Sequence, residues 1–96
     1  MDFIEQQNNL IDRGNNLLGL VKTKDIGEDI IFNVLDNEHI EELKKWHIDI
    51  EEFVEKYGLE VHKMRLFSNS WIINQDERVS VERIKAIISI LKQINA

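Results

Sequence analysis

Residues 37–58 read NEHIEELKKWHIDIEEFVEKYG, and this stretch decides the fold. Within it His39, Leu43, Trp46, Ile50, Phe53 and Tyr57 recur at alternating spacings of four and three, with Ile40, His47 and Val54 alongside. That is the periodicity of one face of an α-helix, where side chains three and four apart stack along the axis. Glu38, Glu41, Glu42, Asp49, Glu52 and Glu55 take the remaining circumference. Asp36 or Asn37 offers an N-cap oxygen, and Gly58 falls where a C-cap glycine belongs. Two residues disturb the pattern. Ile48 lies off the stripe, so it is either exposed or packed on another segment. Asp49 and Glu52 have capping-box spacing, so a break near His47 is a second reading of the same residues.

Working outward toward the N-terminus, Phe3, Leu10 and Leu17 repeat every seven residues, as do Ile4, Ile11 and Leu18, and Gln7, Gly14 and Val21 complete the stripe. Asp2 and Glu5 supply a capping box at its start. Gly14, Asn15, Asn16 and Gly19 are poor helix formers. Gly14 is read first as a weak spot tolerated by packing, and second as a point of close helix–helix approach. Lys22 to Asp29 is polar, contains Gly27 and is read as a loop. The run Ile30–Leu35 is too short for periodicity to decide. With no clear second strand to pair with, it is read as a short helix or an extended plug over the core.

Toward the C-terminus, Val81, Ile84, Ile87, Ile88, Leu91 and Ile94 form a wide apolar face, wide enough for a helix contacted from two sides. Ser80 is its N-cap candidate, and Val79 and Ile84 hold the hydrophobic-staple positions. Glu82 in the first turn and Lys92 in the last suit the helix dipole. Between these helices, Leu59, Val61, Met64 and Phe67 fit either a short helix or an extended segment, followed by Trp71, Ile72 and Ile73 among polar residues. The fold expected is all-α: a small bundle of three main amphipathic helices plus one or two short helices or extended segments, with residues 1–96 as a single domain.

Composition narrows the function. Cysteine is absent, which removes disulfides, thiolate metal sites and a cysteine nucleophile. Proline is absent too, which leaves helices uninterrupted. The net charge of −6 disfavours general binding to nucleic-acid phosphates. It is uneven: residues 25–55 carry eleven acids against Lys44 and Lys45, whereas residues 56–96 carry four acids and seven bases. The N-terminus lacks the basic and long apolar regions of a secretory signal. No apolar run approaches the roughly 20 residues a membrane span needs. A cytoplasmic protein without membrane contact is expected. Fifteen isoleucines and nine asparagines fit an AT-rich bacterial or phage coding sequence.

Chemistry is sparse. His39 with Glu42, and His47 with Glu51, have the spacing to hold one edge of a metal, but a site needs three or four ligands. Both histidines are therefore read as structural. Glu41-Glu42 and Glu51-Glu52 lie on the polar side of the helix, with nothing to desolvate them for acid–base work. The four glycines are too dispersed for a phosphate loop, and Arg65 lacks the trailing histidine of the Arg-x4–6-His signature of small helical bacterial ribonucleases. No catalytic residue, metal or cofactor is expected. The partner-binding candidates are Glu38, Glu41, Glu42, Glu52 and Glu55, and the loop residues Trp71 and Ile72. The alternative reading of the glutamates is a solvated helix face, and that of Trp71 a loop folded over the core.

Leu10-Ile11-Asp12-Arg13-Gly14 leading into Leu17-Leu18, then Trp46, Phe53-Val54, Tyr57-Gly58, Val61, His62 and Phe67, resembles small helical domains attached to bacterial abortive-infection and related anti-phage proteins. The resemblance covers residues 3–67 and is a pattern of core positions. It implies an all-helical accessory or association module, carries over no catalytic residue, and suggests phage–host conflict as the setting. The function expected is a non-catalytic helical protein–protein interaction module, with a second copy of itself among the partners. Apolar helix faces would make the association and the acidic stripe would tune it. The alternative is an acidic inhibitor, such as an immunity protein, antitoxin or anti-defence protein, that blocks a basic enzyme or nucleic-acid-binding site.

Overall fold

The computed structural model describes residues 2–25, 27, 31–59 and 79–94. Three helices carry the described residues: α1 (Phe3–Leu20), α2 (Asn37–Lys56) and α3 (Val81–Gln93). Between the first two lies a small antiparallel hairpin of β1 (Lys22–Asp25) and β2 (Ile31–Val34). The expected all-α class holds, with this hairpin as its minor extended part. None of the described helices is long and apolar enough to cross a membrane.

The helix ends follow from local chemistry. Asp2 Oδ1 accepts from the Glu5 backbone N–H at 2.8 Å, which satisfies one of the orphan donors at the start of α1. Ser80 Oγ does the same for Arg83 N at 3.3 Å at the start of α3. Asp36 occupies the N-cap of α2 without a side-chain cap bond. Its carboxylate accepts from Lys22 Nζ at 3.3 Å instead. At the other end of α2, Gly58 adopts φ +63°. Gly58 N–H bonds to Glu55 O at 3.3 Å and Leu59 N–H to Val54 O at 3.0 Å, the paired bonds of a Schellman motif. The helix runs through His47 without a break, so Asp49 and Glu52 do not cap a second helix.

Side-chain contacts fix the arrangement. Moving along α1, Phe3 stacks near Phe53 and Tyr57, with ring centroids 5.2 and 4.9 Å away, and Leu10 meets Trp46. On its other flank Gln7 reaches Leu91 and Ile94, and Gly14 faces Ile88. Residue numbers rise on α1 as they fall on both partners. Helix α1 is therefore antiparallel to α2 and to α3, and those two run in the same direction. Among the described residues, sixteen buried apolar side chains form the core; Leu35, Leu43, Trp46, Val54, Ile84 and Leu91 are fully buried. The wide face of α3 is accounted for by Ile84, Ile87, Ile88, Ile90 and Leu91, all buried.

Gly14 decides how closely these helices meet. A Cβ there would lie 2.7 Å from Trp46 Cζ2 and 2.8 Å from Ile88 Cγ1, inside any tolerable carbon–carbon distance. Gly14 is thus a close-approach glycine between α2 and α3 side chains, which overturns its first reading as a weak spot. The helix continues through it because the packing it permits outweighs its poor propensity. Trp46 has no exposed surface, and its Nε1 donates to Leu10 O at 2.8 Å, so the ring is fixed in plane as well as in depth.

The hairpin corrects a second expectation. Residues 22–25 form a strand, with Lys22 opposite Val34, Thr23 opposite Asn33, Lys24 opposite Phe32 and Asp25 opposite Ile31. The polar run Lys22–Asp25 shows no alternation of apolar residues, so pairing was invisible in it; backbone hydrogen bonding needs none. The turn carries Gly27 at φ +96°, a conformation that L side chains rarely adopt. Gly27 N–H donates to Asp25 Oδ1 at 2.8 Å. On the far side of β2, Val79 N–H donates to Asn33 O at 2.9 Å, so the chain returns to the hairpin just before α3 begins. Leu35 then plugs the core with no exposed surface, as the extended alternative anticipated. The segment containing Val61, Met64 and Phe67 and the loop of Trp71, Ile72 and Ile73 lie outside the described residues.

Gly14→Ala should destabilise the protein by about 1–3 kcal/mol through overpacking, although helix propensity alone would favour alanine by about 1 kcal/mol. Gly19 has no atom within 4 Å of its Cβ position. Gly19→Ala should therefore stabilise by about 0.5–1 kcal/mol. Urea denaturation of both variants checks the pair; equal shifts in the same direction would contradict the close-approach role of Gly14.

Candidate functional site

Helix α2 offers two usable surfaces, a seam against α1 and an outer face. At the seam, Arg13 Nη1 bonds to Asp49 Oδ2 at 2.7 Å, with both side chains about a third exposed. The pair spans the groove between the helices and separates two open clefts of about 340 and 320 Å³. The first is bordered by Gln6, Asn9, Glu52, Phe53 and Lys56, the second by Asn16, Leu17, Glu42 and Lys45. Both clefts mix cations, carboxylates and amides, and the charge at their common wall is already neutralised. This cross-link is not legible in the sequence, because no local pattern links Arg13 to Asp49 and the partners lie 36 positions apart.

The outer face holds the predicted acidic residues, with Glu42 and Glu52 at its edge, where they also border the clefts against α1. Glu38, Glu41, Glu42, Glu52 and Glu55 are all exposed on α2. The side chains of Glu38, Glu41 and Glu42 keep 78%, 76% and 64% of their surface in water. Carboxylates so well solvated form a charged surface rather than an acid–base pair. Glu41 accepts from Lys44 Nζ at 3.4 Å, an i,i+3 pair of little energetic weight at this exposure. Ile48 interrupts the charge at 53% exposure, which resolves its departure from the apolar stripe in favour of solvent. Trp71 and Ile72 lie outside the described residues.

His39 packs at the start of α2, mostly covered, with Nε2 3.5 Å from Glu38 Oε1 and Nδ1 3.7 Å from Glu42 Oε2. Its Nδ1 is buried and has no hydrogen-bond partner. Asp36, Glu38 and His39 bring ligating atoms within 4.8 Å of one another, the one such group among the described residues. Lys22 already places an ammonium on Asp36, and the positive end of the α2 dipole opposes a further cation there. The carboxylates of the cluster complement the helix N-terminus. His47 is half-buried on the flank of the same helix.

The described core contains no buried polar or charged residue. The polar contacts that matter most for architecture therefore sit at its margins. The clearest is Gln7, whose Nε2 donates to Leu91 O at 2.6 Å and Ile94 O at 2.8 Å. One amide thus bonds two carbonyls at the end of α3: Leu91 O, which also accepts from the Ile94 backbone N–H at 3.4 Å, and Ile94 O just past the last turn. Gln7 counted only as a polar member of the α1 stripe in the sequence; its partners are 84 and 87 positions away. The chain matches no protein family, no curated protein and no solved structure.

A double-mutant cycle on Arg13→Ala and Asp49→Ala should give a coupling of about 0.2–1 kcal/mol, because both partners remain open to solvent. The coupling should shrink in 1 M salt; a salt-independent value well above this range would mean the pair is effectively buried. Zinc, nickel or manganese should leave the melting temperature unchanged, whereas a site formed by Asp36, Glu38 and His39 would raise it and lose the effect in His39→Ala.

Proposed function

We infer that this protein is a non-catalytic helical module for protein–protein contact, and that the outer face of α2 is its contact surface. The observation that carries the reading is the exposure of Glu38, Glu41, Glu42, Glu52 and Glu55 together on one helix whose opposite face is anchored in the core. A surface on a rigid element presents fixed charges without an ordering cost at the moment of binding. The apolar stripes of α1, α2 and α3 are largely consumed by the protein's own core. That moves the weight of recognition from apolar faces to charge. The large apolar residues left exposed among those described are Ile4, Leu20 and Ile48.

The same surface favours a second reading, an acidic inhibitor that covers the basic site of an enzyme or nucleic-acid-binding protein. Clustered carboxylates at fixed spacing attract a cationic surface and accelerate encounter at low salt. The resemblance to accessory domains of abortive-infection proteins supports phage–host conflict as the setting for either role. A cytoplasmic location belongs to the same proposal.

Reversing Glu41, Glu42, Glu52 and Glu55 to lysine tests the surface that both readings use. An inhibitor should lose its target almost completely, and the wild-type complex should dissociate in a salt gradient. An association module that uses this face should lose its partner as well, but its wild type should leave that partner's activity intact, whereas an inhibitor should abolish it. Affinity capture with the immobilised chain, followed by salt elution, reads the loss, and the partner's activity separates the two readings. A partner retained equally by wild type and variant at every salt concentration would remove α2 from the interface.

A further inference from the structure

Lys44, Lys45, Ile48, Glu51 and Glu52 lie together on the side of α2 that faces away from its buried stripe, and all five are exposed. Ile48 is the centre. Residues four and three before it are its neighbours on one side, and those three and four after it on the other. Along the helix axis the surface therefore reads two bases, one exposed apolar side chain, two acids. Lys45, Glu51 and Glu52 have no ion-pair partner among the described residues.

That order is antisymmetric about Ile48, and antisymmetry of charge is self-complementary under a two-fold axis. A second copy of α2 laid antiparallel, with the axis through Ile48, places Ile48 on the partner's Ile48. Lys44 then meets the partner's Glu52, and Lys45 the partner's Glu51. Each pairing occurs twice, which gives four opposite-charge contacts around one apolar contact. A parallel arrangement would set lysine on lysine and glutamate on glutamate, so charge selects the antiparallel one. The antiparallel helix dipoles add to the same preference. One turn further out, Glu41 meets the partner's Glu55. That like-charge pair confines the contact to the middle turns and keeps it weak, although Lys44 already stands beside Glu41 at 3.4 Å.

We propose that the protein self-associates through the outer face of α2, as an antiparallel, two-fold symmetric helix pair centred on Ile48. The proposal rests on α2 being a contact surface and names a second copy of this chain as its occupant.

The test uses charge complementation. Sedimentation equilibrium of the purified chain should show association that grows with concentration and is lost in high salt. K44E/K45E and E51K/E52K should each be monomeric alone, with circular dichroism melts confirming that they fold. Mixed in equal amounts they should form a heterodimer, since every lysine of one then faces a glutamate of the other. Both chains remain net negative, so restored association has to come from local contacts. The chain lacks cysteine, which allows a second readout: Ile48→Cys should form a disulfide-linked dimer under mild oxidation faster than Asn15→Cys on exposed α1.

A monomeric wild type, charge-reversed variants that each associate alone as wild type does, an unproductive mixture, or equal cross-linking at the two cysteines would each overturn the proposal. Retention of a different protein by the monomeric K44E/K45E chain would leave the broader contact function standing, so the two can fail separately.

Discussion

The packing of Trp46 against Gly14 is the contact on which the rest of the structure depends. The indole has no exposed surface, and a side-chain atom at residue 14 would collide with it and with Ile88. One missing methyl group thus lets a single helix accept a tryptophan from one neighbour and an isoleucine from the other at the same level. The Trp46 Nε1 bond to Leu10 O fixes the ring in that notch, and it does so with a backbone acceptor that mutation cannot remove. Once α1 is seated this way, the remaining contacts follow its direction: the aromatic group of Phe3, Phe53 and Tyr57 at one end and the Arg13–Asp49 pair near the middle.

This geometry also separates structure from surface in α2. Its buried side is apolar and specific, so the helix cannot rotate without exposing Trp46 or Leu43. Its outer side contributes little to stability, because exposed ion pairs are worth little. Sequence there is free to serve contact with something else. The lysine pair, the isoleucine and the glutamate pair sit where folding places no demand on them.

How much of this was legible in the sequence varies by the kind of interaction. The three helices were readable because burial imposes a period, and residues such as Leu43, Trp46 and Ile50 carry that period in their identity. The caps at Asp2, Ser80 and Gly58 were readable because each acts within three or four residues of itself. The strand Lys22–Asp25 was not, since its partner supplies backbone groups, which every residue has. Gly14 was half legible: its place on the apolar stripe was visible, but whether a neighbour filled the gap depended on Trp46 and Ile88 in other helices. The acidic face could be placed on α2 from spacing, whereas the Arg13–Asp49 cross-link depends on how two helices are rotated against each other. No local pattern encodes that rotation.

The parallel course of α2 and α3 has a consequence for how the chain comes into being. Helix α2 is about 30 Å long, and α3 begins again beside its start, where Val79 N–H bonds to Asn33 O. The amide of Gln7 then waits for carbonyls that lie 84 and 87 residues further on. At typical synthesis rates that interval is on the order of 4–17 s. During it α2 is the one described helix available to cover the apolar stripe of α1. Among the described helices, α1 and α2 are therefore both synthesised, with Trp46 able to bond Leu10 O, before α3 supplies Ile88 to the notch at Gly14 from its open side.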